Sequence, residues 1–314
     1  MRRDGLELAP EVQTLAKLDR WVGPGTVDQV PVAEARRRLR HDVLVAGGRP
    51  RPVAELRPVD AGGVPARLYV PPEAPTPSPL LVYFHGGGHV VADLETHDAT
   101  CRWFARETGV RVLAADYRRA PEHPFPAAVE DALAAFRHAA SHARELGADA
   151  ARIAVGGDSA GANLAAVVAQ LAAADELSPV FQLLIYPVCD YSPEWPSQEL
   201  FASGFFLTRA EIRWYRSHYL RDDAAASDPR ASPLLREDLS GLAPAYVATA
   251  GFDPLRDEAE EYARRLRAAG VAVTLRRHAG YGHGFAAMVG LGERVRGPAR
   301  ETAAAVRWVL AARP

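Results

Sequence analysis

The chain has 314 residues, of which 48% are apolar and 24% charged, and its formal net charge is −2. That balance excludes a wholly disordered chain, because there is ample apolar material for a large core. It also argues against nucleic-acid binding: no basic excess is available to hold a phosphate backbone, and the bias of the basic residues to arginine, with Lys17 the single lysine, reads as composition rather than function.

Residues 1–45 read as helical and weakly anchored. Met1-Arg2-Arg3-Asp4-Gly5 has two arginines but no apolar run behind them, which argues against a secretory signal. Apolar residues recur at helical spacing over Glu11 to Arg20 and Val32 to Arg40, with Gly23-Pro24-Gly25 as the break between them. After Gly47-Gly48 the texture changes. Arg51–Val59 is a candidate antiparallel strand. Short β-branched runs then predict strands at Val64–Val70, Leu80–Phe84, Arg111–Asp116, Arg152–Val155, Phe181–Tyr186, Ala245–Thr249 and Val271–Arg276. Helical patterns fall between them at His97–Glu107, Ala127–Leu146, Ala160–Ala174 and Asp257–Ala269, with a last one at Ala299–Ala312. Strand alternating with helix predicts an α/β fold, a mostly parallel sheet covered on both faces. The stretch from Pro187 to Leu242 breaks the rhythm. It holds an amphipathic helix, Thr208–Leu220, and reads as an insertion lying over the sheet against the N-terminal helices.

Cys101 and Cys189 lack any CxxC or histidine-rich spacing, so they read as buried thiols of a reducing, cytoplasmic setting. No run approaches the ~18 apolar residues of a membrane span.

Gly157-Asp158-Ser159-Ala160-Gly161 fits G-x-S-x-G. A bare match also fits a serine N-cap after a glycine turn. Here the strand-like Ile153-Ala154-Val155 leads in and an alanine-rich helix leads out, the strand–turn–helix context of a nucleophilic serine. His85-Gly86-Gly87-Gly88 follows the apolar run Leu81–Phe84. Consecutive glycines at a strand end let backbone N–H groups approach a ligand, as a developing oxyanion requires. Downstream, Asp253 and His283 each follow a predicted strand, where open α/β sheets place their sites. Ser159, Asp253 and His283 thus stand in chain order as nucleophile, orienting acid and base. His138, His142, His218 and His278 are weaker candidates. They lie on a surface helix, in the insertion and ahead of a loop.

With these segments in hand, the sequence resembles the hormone-sensitive-lipase-like esterases of the α/β-hydrolase superfamily, the bacterial family IV type. The resemblance spans about residues 50–314. It rests on His85–Gly88, Asp93-Leu94-Glu95-Thr96-His97-Asp98, Asp116-Tyr117-Arg118, Ala120 to Ala127, Gly157–Gly161, Asp253-Pro254-Leu255-Arg256-Asp257-Glu258 and His283-Gly284-Phe285. It implies an α/β-hydrolase fold with an eight-stranded sheet and a helical cap. Residues 1–50 would start the cap, 51–187 the core, 188–225 the cap insertion and 226–314 the rest of the core.

By position, the resemblance implies Ser159 as nucleophile, His283 as general base and acid, and Asp253 as its orienting partner. The N–H groups of Gly86, Gly87 and Ala160 would form the oxyanion hole. His85 would brace that loop beside Gly88, and Asp158 would mark the GDSAG branch. Arg118 and Glu122 would form a structural ion pair. The chain departs from the family at Ala162, where a second glycine is usual, at Arg119 in place of leucine, and at His89 in place of an aromatic residue. His89 would border the substrate pocket, walled also by Phe205, Phe206, Trp214, Tyr215 and Phe285.

The implied reaction is hydrolysis of short- to medium-chain acyl esters, with no metal or organic cofactor. The partner is a small-molecule ester, and the family brings a homodimer into view. The same triad would also serve an arylformamidase, an amidase or a natural-product deacetylase. A non-catalytic receptor on this fold is disfavoured, because serine, aspartate and histidine are all present.

Overall fold

The computed structural model describes residues 1–22, 26–192 and 194–311, and over them the strand–helix alternation takes shape. A two-stranded hairpin, β1 (Arg2–Arg3) and β2 (Leu6–Glu7), leads into α1 (Pro10–Val22) and α2 (Val32–Gly47). The core follows with β3 (Glu55–Asp60), β4 (Pro65–Val70), β5 (Ser78–Phe84), α3 (Asp98–Thr108), β6 (Arg111–Ala115), α4 (Ala127–Ser141), β7 (Ala148–Asp158), α5 (Ala160–Leu171) and β8 (Gln182–Ile185). The insertion carries α6 (Pro196–Leu200), α7 (Arg209–Tyr219) and α8 (Asp223–Ala226). The chain then returns to the sheet with β9 (Ala245–Phe252), α9 (Arg256–Ala268), β10 (Val273–Gly282) and α10 (Gly297–Ala311). The turn Gly23-Pro24-Gly25, Pro193 and the helix end at Ala312 lie outside the described residues.

Eight strands form one sheet in the order β10-β9-β8-β7-β5-β6-β4-β3. Pairing is parallel from β10 through β6, and antiparallel where β4 meets β6 and β3. The central strand β5 is buried along its whole length. Its side chains alternate between two cores, as a strand covered on both faces must. Leu80, Val82 and Phe84 join α4, α5 and α9 on one face. Leu81 and Tyr83 join α3 and α10 on the other. Cys101 and Cys189 are buried and unpaired. Among the described residues no helix is long and apolar enough to cross a membrane.

Several element boundaries differ from expectation, most visibly those of β7, α4 and β10. Strand β7 begins at Ala148 rather than Arg152, because Ala148 pairs with Ser78 across an irregular register. Helix α4 stops at Ser141, and residues 142–147 form turns ending at Gly147 with φ +64°. Strand β10 runs on to Gly282, with an irregularity after His278, so His278 lies within the strand. There it is buried and packs on Phe285.

The insertion is tied to the core at several points. Thr208 caps α7 in a reciprocal capping box with Glu211, whose carboxylate also accepts from the Val27 N–H at 3.4 Å. Asn163 on α5 donates to the carbonyls of Val188 (3.0 Å) and Ala231 (2.8 Å). Fully buried Glu258 on α9 accepts from the Cys189 N–H at 2.7 Å. The N-terminal segment packs Leu8, Val12 and Ala16 on Phe201, Phe205 and Phe252. It is held by the Asp4–Arg256 ion pair at 2.8 Å and by the Ala9 N–H on the Gly280 carbonyl at 2.9 Å.

Burial pushes the Glu258 carboxyl well above its ordinary value, against the pull of its backbone donors. Below the unfolded value of about 4.3, both states hold the proton. Above it the unfolded chain releases its proton while the folded chain keeps it, so stability falls as pH rises toward the folded value. Glu258→Gln removes this pH dependence. The melting temperature of the variant relative to the parent is expected to rise as the pH is raised above the unfolded value of about 4.3. A difference that stays flat as the pH is raised would refute the assignment.

Candidate active site

The site is built where β7 turns into α5. Ser159 occupies φ +54°, ψ −119°, a conformation that costs a non-glycine residue about 1–3 kcal/mol. Its N–H donates to the Ile185 carbonyl at 2.9 Å, which fixes the turn against β8. The flanking glycines are required by space. A Cβ on Gly161 would stand 1.9 Å from the Phe84 carbonyl oxygen, and one on Gly157 2.4 Å from the same atom. Ala162 lies one step beyond this contact, and its methyl packs in the main core.

Asp253 follows β9 and is 1% exposed. Its Oδ1 accepts the Leu255 N–H at 2.9 Å, and its Oδ2 lies 2.8 Å from His283 Nδ1. A carboxylate there requires the proton on Nδ1, which leaves Nε2 as an acceptor. His283 Nε2 lies 3.0 Å from Ser159 Oγ. The imidazole rests on Tyr186 with ring centres 4.5 Å apart, and Tyr186 in turn packs edge-on against Phe285. Ser159, His283 and Asp253, widely spaced in the chain, thus form one hydrogen-bonded line.

The glycine loop continues directly from β5. The Gly86 N–H donates to Asp158 Oδ1 at 3.1 Å, so it is already engaged and points away from the serine. This corrects its expected place among the oxyanion donors. Gly87 and Gly88 line the cleft with Ser159. Among the described residues, the N–H groups of Gly87, Gly88 and Ala160 donate to no protein acceptor. Gly88 has φ +60°, and a Cβ on it would stand 2.3 Å from the ring of Tyr215, which lies across it from α7.

Behind the loop, the His85 Nδ1 lies 2.8 Å from the Gly86 carbonyl and must donate to it. The His85 carbonyl accepts from the Tyr117 hydroxyl at 2.7 Å, and the two rings stack at 4.3 Å. Burial, with His97 nearby, pulls the His85 imidazole down to about 3, so it is neutral at ordinary pH. Burial pushes the Asp158 carboxyl up, but His97 and Tyr83 outweigh it and hold the carboxyl below its ordinary value. Tyr83 donates to Asp158 Oδ1 at 2.8 Å.

The cleft is a cavity of about 1690 Å³, walled by Phe205, Phe206 and Tyr215 from the insertion and by Val45 and Met288 on other sides. Three residues expected in its wall lie elsewhere. His89 is fully buried and stacked on Tyr219 at 3.8 Å, because the chain turns down after Gly88. Trp214 packs on His218 with ring centres 4.3 Å apart, since adjacent helix positions diverge by ~100°. Phe285 is 1% exposed, behind Tyr186. Arg118 and Glu122 do not pair with each other. Arg118 binds Asp131 at 2.8 Å, while Glu122 reaches across to Arg36 on α2 at 2.7 Å. Arg119 donates to the Ala92 carbonyl. Tyr83, His97, Tyr117 and Tyr186 support the site without having been singled out. The 93–98 and 116–118 motifs marked two of them but gave them no role.

Comparison with known proteins agrees with this geometry. The family described as α/β hydrolase fold matches residues 81–287. The chain is 48% identical over 303 residues to the carboxylic ester hydrolase LipN of Mycobacterium tuberculosis, covering 92% of this chain and 80% of that protein. It is 42% identical over 264 residues to the ethyl acetate hydrolase of Pseudomonas putida, covering 81% and 82%. A solved ester hydrolase from the metagenome of Lake Arreo, complexed with a derivative of bipyridine phosphonate, superposes with a TM-score of 0.91. That structure is 42% identical, and the match covers 96% of this chain and 98% of the other. The chain therefore belongs to the α/β-hydrolase family, among its hormone-sensitive-lipase-like members, and is a carboxylic ester hydrolase.

Proposed function

We propose that Ser159 is the nucleophile of this hydrolase, His283 its general base and acid, and Asp253 the group that orients His283. The observation that carries this reading is the line from Asp253 through His283 to Ser159 Oγ, at 2.8 and 3.0 Å. As Ser159 attacks an ester carbonyl, its proton passes to His283 Nε2 and the carbonyl oxygen takes the negative charge. The uncommitted N–H groups of Gly87, Gly88 and Ala160 receive that charge, helped by the positive end of α5. His283 then protonates the departing alcohol. Water, deprotonated by His283, releases the acid from the acyl-serine. A hydrogen-bonded triad beside free donors favours turnover over a receptor role.

In the same reading residues 1–50 and 188–225 cap the cleft, and the apolar wall from Phe205, Phe206 and Tyr215 accepts short to medium acyl chains. The enzyme works in the cytoplasm, which its two unpaired buried thiols fit. It pairs with a second copy along the outer edge of β10 beside Trp308, 77% exposed on α10.

Three outcomes test this reading. On p-nitrophenyl esters from acetate to palmitate, activity is expected to be greatest on butyrate or hexanoate and to fade with length. Ser159→Ala is expected to lower kcat by at least about 10⁴-fold while the protein stays folded. A folded variant that keeps pace with the parent would sink the assignment. Gly88→Ala drives a methyl into Tyr215 and turns an oxyanion donor. It is expected to lower kcat by about 10²-fold with KM little changed. A rise in KM alone would assign Gly88 to ground-state binding instead.

A further inference from the structure

The Asp93–Asp98 segment takes no part in the steps above, yet it reaches the site from below. It folds on itself. The Thr96 N–H donates to Asp93 Oδ1 at 2.8 Å, the Asp93 N–H donates to Thr96 Oγ1 at 2.9 Å, and the Thr96 hydroxyl donates to the Asp93 carbonyl at 2.7 Å. This turn presents His97, whose side chain is 6% exposed. Its Nδ1 lies 3.0 Å from Thr96 Oγ1, and its Nε2 lies 3.3 Å from Asp158 Oδ1. The same carboxylate oxygen receives the Tyr83 hydroxyl at 2.8 Å and the Gly86 N–H at 3.1 Å. Asp158 is also covalently next to Ser159. One oxygen therefore ties the end of β5, the glycine loop and the 93–98 turn to the nucleophile's own backbone.

The planar trans peptide makes this a pointing device. In the peptide joining His85 to Gly86, the carbonyl is held by the Tyr117 hydroxyl at 2.7 Å and the N–H by Asp158 at 3.1 Å, so both ends are fixed. In the next peptide the Gly86 carbonyl is held by His85 Nδ1 at 2.8 Å. The far end of that second peptide is the Gly87 N–H, which must point the opposite way, toward the cleft. We propose that His97 and Asp158 are positioning residues of the oxyanion hole. The imidazole steadies the carboxylate, the carboxylate fixes the peptide before Gly86, and that peptide aims the donors that follow. The inference rests on the reading of Ser159, Gly87, Gly88 and Ala160 given above.

The test compares Asp158→Ala, Asp158→Asn, His97→Ala and Tyr117→Phe with the parent, using kcat per active site titrated with a phosphonate. Ser159→Ala runs alongside. Asp158→Ala is expected to lose about 100-fold in kcat, and His97→Ala and Tyr117→Phe about 10-fold, with KM held within about twofold. Asp158→Asn keeps an acceptor for the Gly86 N–H and is expected to recover most of the loss. Affinity for a trifluoromethyl ketone, whose adduct carries the oxyanion, should weaken by the same factor as kcat/KM, since both report the same charged state. A merely structural role would lower the titrated fraction and the melting temperature, leave kcat per site unchanged, and so overturn the proposal. So would a change confined to KM. Tyr117→Phe removes one oxygen and keeps the inference open to refutation should the Asp158 and His97 variants not fold. An active Ser159→Ala would instead defeat the underlying mechanism, which separates the two failures.

Discussion

The site depends on one close approach, that of the Phe84 carbonyl to the two glycines that flank Ser159. Strand β5 and the start of α5 meet there with no room for a side chain. Because the chain leaves β5 straight into His85–Gly88, the same contact that forces the strained serine turn sets the glycine loop alongside it. Ser159 and the glycine loop are therefore placed by a single packing constraint between neighbouring strands. The strain at Ser159 persists because β8 holds its N–H and the two cores grip β5 and β7 from both faces.

Around this contact, charge is handled by burial with partners. Asp158 remains a carboxylate in a closed setting because two donors, the Tyr83 hydroxyl and the Gly86 N–H, converge on one oxygen with the His97 imidazole 3.3 Å away. His85, a few ångströms away, is neutral and acts only through its Nδ1–H. Asp253 spends one oxygen on backbone and offers the other to His283. Glu258 keeps its proton and ties α9 to the loop after β8. Asp158, His85 and Glu258, three buried titratable groups, are thus shifted in directions set by what faces each of them.

Much of this was legible in the residues. The order of strands and helices follows from apolar periodicity, and Ser159, Asp253 and His283, each singled out beside a strand end, are joined in one hydrogen-bonded line. The antiparallel start at β3 was also readable, although the strand begins at Glu55 rather than Arg51. What sequence could not convey is orientation. Gly86 and Gly87 are chemically identical, and only the acceptor beneath the loop decides which N–H turns inward. Trp214 and Tyr215 are adjacent aromatic residues, and the phase of α7 alone puts one in the cleft and the other on His218. Arg118 and Glu122 are close in sequence, but Asp131 and Arg36 arrive from α4 and α2 and separate them. His89 reads as a polar residue at a pocket rim, yet a stack on Tyr219 draws it wholly inside.

The docking of residues 4–16 has a consequence for how the protein is made. These residues leave the ribosome well before Phe252, Arg256 and Gly280, on which they rest. At ~5–20 residues per second, the wait is on the order of ten to fifty seconds. During that interval Leu8, Val12 and Ala16 have no native surface to cover. His283 follows Gly280 closely in the chain, so the wall over the cleft and the imidazole within it are completed together.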